Sequence, residues 1–129
     1  MIARAFILCA VVFVGGFFGG ITRWALTKLP RPLIGTWVAN MIGCAVFGFS
    51  STMSGLWPVL LGAGFAGACS TLSTLAKELG RLAVAGKYTP LVFYAFATAS
   101  LGILAAWIGA KLGGGPVYPV FDTLHAAGV

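Results

Sequence analysis

Charged side chains are scarce in this chain, and acidic ones are almost missing. Charged residues make up 8% of the 129 residues and include only two acids, Glu78 and Asp122, whereas a typical soluble domain is about one quarter charged. The one histidine, His125, has no acid or nucleophile set near it, and no phosphate-binding loop or metal motif occurs. We therefore expect no enzymatic activity, because acid–base and nucleophilic catalysis need such groups together.

Disulfide bonds and cysteine–metal sites are equally unsupported. The three cysteines, Cys9, Cys44 and Cys69, all lie inside apolar segments and share no metal-type spacing. Cysteines in such surroundings behave as small buried hydrophobic residues.

Apolar sequence is what the chain has in abundance. Hydrophobic residues account for 60% of it, and the mean hydropathy is +1.03. A membrane-spanning helix needs about 20 residues, so the chain has room for about four spans and no separate soluble domain. The composition predicts an all-α membrane protein. One small bundle encloses little space, so transport would require an oligomer.

The net charge of +6 has two readings. Basic chains often bind nucleic acid, but here the cations stand at the ends of apolar runs, where they mark membrane interfaces and orientation. We therefore expect contact with membrane lipid and no nucleic-acid partner. A second role for the same positive charge is an electrostatic potential that favours an anion near the membrane.

The predicted spans cover residues 3–27, 33–50, 56–85 and 91–112. Residues 1–114 would form the membrane domain, and the Gly/Pro-broken stretch 115–129 a disordered tail. The first run resembles a signal peptide, but its removal would delete a span, so we expect an uncleaved helix.

Cations are unevenly divided between the two ends of these spans. The positive-inside rule then places both termini outside the cytoplasm. The termini share their side with Arg4 and Lys111, and the opposite side carries Lys28, Arg31, Arg81 and Lys87.

The third run is too long for one crossing, and small residues and hydroxyls crowd its centre. The segment GAGFAGACSTLSTLAKE, residues 62–78, contains weak helix formers from Gly67 to Thr71. We predict a broken helix there, because opened backbone carbonyls at membrane depth can coordinate a cation. The alternative is that small residues only allow close helix packing.

Five polar residues inside the runs have competing readings. Arg23 is an interfacial cation that reaches toward the headgroups, or it serves a site. Asn40 holds a partner helix or a desolvated ion. Tyr94 and Thr98 share one helix face. Glu78, beside Lys77 and three residues before Arg81, is expected to form an ion pair.

Four of these stretches together resemble the Fluc/CrcB fluoride channel family. GGFFGGITRW (15–24) is similar to the family's Gly-Gly-x-x-Gly-x-x-x-Arg-Tyr, and GTWVANMIGC (35–44) to its Gly-Thr-x-x-x-Asn-x-x-Gly. GFAGACSTLSTLAKE (64–78) resembles Gly-Phe-x-Gly-Gly-x-Thr-Thr-Phe-Ser-Thr-Phe-x-x-Glu. Tyr94 with Thr98 resembles the family's Tyr-x-x-x-Ser. The matches are in order and cover the chain to about residue 114.

The resemblance implies a fold, a cofactor and a set of sites. Family members are antiparallel, dual-topology dimers in the bacterial plasma membrane, with two pores that pass fluoride out of the cell and a sodium ion at the dimer interface. In this chain the resemblance assigns the sodium to the carbonyls of Gly67 and Ser70. It assigns the vestibule and pore lining to Arg23, Thr36, Asn40, Leu72, Ser73, Thr74, Leu75, Tyr94 and Thr98.

Two departures from the family pattern leave the assembly open. The family has phenylalanines whose positive ring edges face fluoride, and this chain has Leu72 and Leu75 instead. The chain is then either a homodimer or one half of a heterodimer with an oppositely oriented paralogue, in which it could be a non-conducting partner. A third alternative is a small multidrug-type antiporter, but the first, second and fourth spans have no acid at mid-depth.

Overall fold

Helices account for almost all of residues 2–114, the part of the chain that the computed structural model describes. Within it lie four helical spans long and apolar enough to cross a membrane, and no strand. They are the first helix Ile2–Leu26, the second helix Pro32–Ser50, the third span Pro58–Val84 and the last helix Tyr88–Gly113. The predicted all-α, multi-pass membrane protein is confirmed. The predicted tail, with Asp122 and His125, lies outside the described residues.

Proline and glycine define the span ends. Pro32 occupies the first turn of the second helix, where a missing N–H costs nothing, and Arg31 before it is extended at φ −121°, ψ 107°. Gly86, with φ +68°, follows the third span in the left-handed region. The last helix begins at Tyr88, three residues earlier than predicted, because Pro90 fits within its first turn.

The third span is broken, as predicted, but over fewer residues. Its first half is a π-helix, Pro58–Ala66, followed by the single turn Gly67–Cys69. Ser70 (φ −83°, ψ 141°) and Thr71 (φ −151°, ψ 125°) are extended, and Leu72–Val84 is helical again. Gly67 itself is helical at φ −63°, ψ −35°, so the predicted break from 67 to 71 is corrected to two residues.

Packing places the break beside the second and last helices. The second and last helices form the most extensive contact, and the first helix packs on the π-helical half of the third span. Gly48 and Gly109 let the second and last helices meet at backbone distance, because an added Cβ on either would overlap carbonyl oxygens of the other helix. The second half of the third span lies against the last helix and touches the second.

Large apolar side chains cover the outside of the bundle. Phe6 and Phe96, for example, are both 73% exposed. A surface of this kind suits lipid tails or another membrane-embedded subunit, in accordance with the expected contact with membrane lipid.

Candidate functional site

Asn40 joins the second helix to the break in the third span. Its side chain is buried, and its Oδ1 accepts a hydrogen bond from the backbone N–H of Thr71 at 3.0 Å. In a continuous helix that N–H would donate to the carbonyl of Gly67. The amide therefore caps the second half of the span, and its NH₂ group is the donor that Asn40 can present to another species.

A small cavity of about 30 Å³ lies on one side of Asn40. It can hold a water-sized species. The guanidinium of Arg23 borders it and donates to the hydroxyl of Thr74. The positive charge of Arg23 thus faces one small volume and favours an anion there. The hydroxyls of Thr27 and Thr36 donate elsewhere, to the Trp24 carbonyl and to Glu78. The lining residues are Arg23, Thr27, Gly35, Thr36, Ala39, Asn40, Thr71 and Thr74.

A larger cavity of about 170 Å³ lies on the other side. Asn40 and Thr71 border both cavities, so they stand between them. The hydroxyl of Thr98 is buried here with no hydrogen-bond partner among residues 2–114, and such groups in membrane proteins usually mark a ligand or a partner. The lining residues are Asn40, Met41, Cys44, Ser70, Thr71, Leu72, Leu75 and Thr98.

Glu78 is buried and bonded to Thr36, a residue that lines the small cavity, and it corrects one expectation. Its carboxylate accepts hydrogen bonds from the Thr36 hydroxyl at 2.6 Å and from the Tyr94 hydroxyl at 2.8 Å. The predicted ion pair of Glu78 with Lys77 or Arg81 is wrong within residues 2–114. Both cations are exposed, whereas Glu78 is bonded to the second and last helices. Sequence reasoning left Glu78 out of the site, although the resembling stretch 64–78 ends in this residue.

Three predicted site residues lie outside the walls of both cavities or are strongly exposed. Tyr94 is held by Glu78 and is 3.3 Å from the carbonyl oxygen of Leu33. The Ser73 hydroxyl is exposed, 2.9 Å from that of Thr71. Leu72 borders the larger cavity but is 78% exposed in the single chain. The pore roles of these residues stay predictions.

The backbone at the break has the chemistry that a hard cation requires. The Gly67 carbonyl has lost its usual helical donor to Asn40, and the carbonyl of extended Ser70 lies outside the helical pattern. No cluster of three or more His, Cys, Asp or Glu occurs between residues 2 and 114. A metal ion here would therefore rely on backbone oxygens, which suit alkali and alkaline-earth cations.

Comparison with known proteins identifies the family. The family described as "CrcB-like protein, Camphor Resistance (CrcB)" matches residues 10–110. The chain belongs to the CrcB-like family. All residues that line the two cavities fall within the matched segment.

Relatives in the CrcB-like family match over nearly their full length. "Fluoride-specific ion channel FluC 2" of Corynebacterium diphtheriae is 41% identical over 78% of this chain and 96% of the relative. The protein of the same name in Bacillus thuringiensis is 38% identical, with 81% and 95% covered. "Fluoride-specific ion channel FluC 1" of Geobacillus kaustophilus is 34% identical, with 79% and 94% covered. The suspected resemblance is therefore confirmed at family level.

Proposed function

We propose that this chain is a subunit of a fluoride-selective channel, not an enzyme, that lets cytoplasmic fluoride leave the cell passively. The observation that carries the proposal is Asn40, buried between two cavities within a bundle of membrane-spanning helices. The names of the CrcB-like relatives support fluoride as the ion.

The donors along this route suit a small, strongly hydrated anion. Fluoride gives up its water only where other donors replace it. The guanidinium of Arg23, the amide NH₂ of Asn40 and the hydroxyl of Thr98 supply such donors in sequence from one cavity to the other. The Thr36 hydroxyl donates to Glu78, so it offers its lone pairs rather than its proton unless that bond is exchanged.

A structural sodium ion is part of the proposal, held by the carbonyls of Gly67 and Ser70. The loss of the Gly67 helical bond supports this assignment. When bound, the ion would add a positive charge near the break and lower the electrostatic cost of placing an anion there.

The assembly that fits these residues is an antiparallel, dual-topology dimer. The numbered names of the relatives, FluC 1 and FluC 2, suit a heterodimer of oppositely oriented paralogues as well as a homodimer. Leu72 and Leu75 give the larger cavity aliphatic walls where the family has aromatic rings. This observation favours a second candidate, a non-conducting partner subunit. Membership in the CrcB-like family leaves the antiporter alternative without support.

Fluoride efflux from liposomes tests the proposal. The chain alone, with sodium present and chloride as the control ion, should release fluoride selectively, and Asn40→Ala should abolish the release. Ser100→Ala, at an exposed position of the last helix, is the control. If the folded chain conducts only with an oppositely oriented family member, the heterodimer is supported. If neither preparation conducts, the proposed function is wrong.

A further inference from the structure

Two sulfur-containing residues border the larger cavity. Met41 and Cys44 both border it and lie three residues apart on the second helix, so their side chains share a face. Their ends meet over Gly102 of the last helix: an added Cβ there would lie 3.4 Å from Cys44 Sγ and 3.7 Å from Met41 Cε. The Cys44 thiol and the methyl end of the Met41 side chain thus converge over Gly102, and both residues border the cavity.

A buried hydroxyl from the last helix belongs to the same cavity. Thr98 lies one turn before Gly102 on the last helix and borders the same cavity. Thr98 is 7% exposed, and its hydroxyl oxygen has no hydrogen-bond partner within residues 2–114. A buried polar atom without a partner points to a missing ligand.

The other two cysteines have different surroundings. Cys69 is 0% exposed, and its thiol lies 3.5 Å from the Ala39 carbonyl oxygen. Cys9 is exposed on the first helix and borders neither cavity. Cys44 is therefore the cysteine, among the described residues, that combines access to a cavity with a second sulfur donor.

We propose that Met41 and Cys44 bind a soft monovalent metal ion, copper(I) or silver(I), and that the bound ion obstructs the larger cavity. Thiolate and thioether sulfur select such ions over hard cations, which prefer the oxygen ligands found at the helix break. On binding, the Cys44 S–H bond breaks, a sulfur–metal bond forms and the proton passes to water, while the metal keeps its oxidation state. The Thr98 oxygen supplies a further, weaker contact.

Direct silver binding tests the site without any assumption about ion conduction. Cys9→Ser protein, purified in chloride-free buffer, is titrated with silver nitrate in the presence of free methionine as a competitor. The number of silver ions bound per chain is measured by elemental mass spectrometry. We expect one silver ion per chain, its loss in Cys9→Ser/Cys44→Ser, and about tenfold weaker binding in Cys9→Ser/Met41→Leu. Unchanged binding in both variants would overturn the site.

The Met41→Leu variant keeps the test decisive if Cys44→Ser does not fold. Leucine conserves the volume of methionine and removes only the thioether, so unchanged affinity in this variant would reduce the site to a single thiol and overturn the proposal.

The obstruction is tested by fluoride efflux, and this arm rests on the proposed function. Silver fluoride is soluble, so both ions can be present together. Silver should slow efflux at least tenfold in Cys9→Ser protein and leave efflux from Cys9→Ser/Cys44→Ser unchanged relative to its own rate without silver. Silver that binds but does not slow efflux would refute the obstruction. If the chain alone does not conduct, the binding arm still decides the site.

Discussion

Replacing Glu78 by glutamine is expected to destabilise the fold by about 2 kcal/mol. The carboxylate accepts two short hydrogen bonds, from Thr36 at 2.6 Å and from Tyr94 at 2.8 Å. A hydrogen bond to a charged group contributes about 1.5–3 kcal/mol and a neutral one about 0.5–1.5 kcal/mol. Each bond therefore loses about 1 kcal/mol when the charge is removed while shape and burial are kept. One of the two hydroxyls must also change from donor to acceptor, because it then faces the NH₂ group of the glutamine.

A double-mutant cycle separates this network from the ion pair that the sequence suggests. Glu78→Gln combined with Tyr94→Phe should show a coupling energy of about 1 kcal/mol, since the two side chains are in direct contact. Glu78→Gln combined with Arg81→Gln should show less than about 0.5 kcal/mol, because Arg81 is exposed. Tyr88→Phe, at an exposed tyrosine, is the matched control.

Unfolding in mixed detergent micelles, followed by the fluorescence of the four tryptophans, measures these free energies. Protein concentration must be held constant, because subunit association contributes to apparent stability. A coupling with Arg81 equal to or larger than that with Tyr94 would refute the reasoning.

Three further predictions concern the cavities and the helix packing. Leu72→Phe and Leu75→Phe should raise fluoride efflux a few-fold, because the positive edge of an aromatic ring attracts an anion; unchanged efflux would contradict an aromatic role. Thr98→Val should lower efflux by at least about tenfold through loss of one donor to a charged ion, whereas Thr98→Ser should stay within about threefold. Gly48→Ala should lower the thermal unfolding temperature, costing about 1–3 kcal/mol, because its Cβ overlaps the Ala106 carbonyl. Gly80→Ala, with nothing within 4 Å, should raise it.

The sequence predicted the class of protein and most of its route across the membrane. Apolar runs of sufficient length between prolines, glycines and cations determine four spans, because backbone groups in lipid must bond within a helix. Weak helix formers located the break, and Asn40 and Thr98 were recognisable as polar residues in otherwise apolar helices. These features are local, so neighbouring residues are enough to reveal them.

Long-range packing decided which polar side chains bond to one another. Glu78 stands beside two cations in sequence, yet its partners, Thr36 and Tyr94, are 42 and 16 residues away. The break spans two residues instead of the predicted five. At its end, the backbone N–H of Thr71 donates to the side chain of Asn40, which belongs to another helix. The convergence of Met41 and Cys44 on Gly102 likewise depends on how two helices meet. The sequence determined which groups are costly to bury in a membrane, and only the tertiary structure decided which of them satisfy one another.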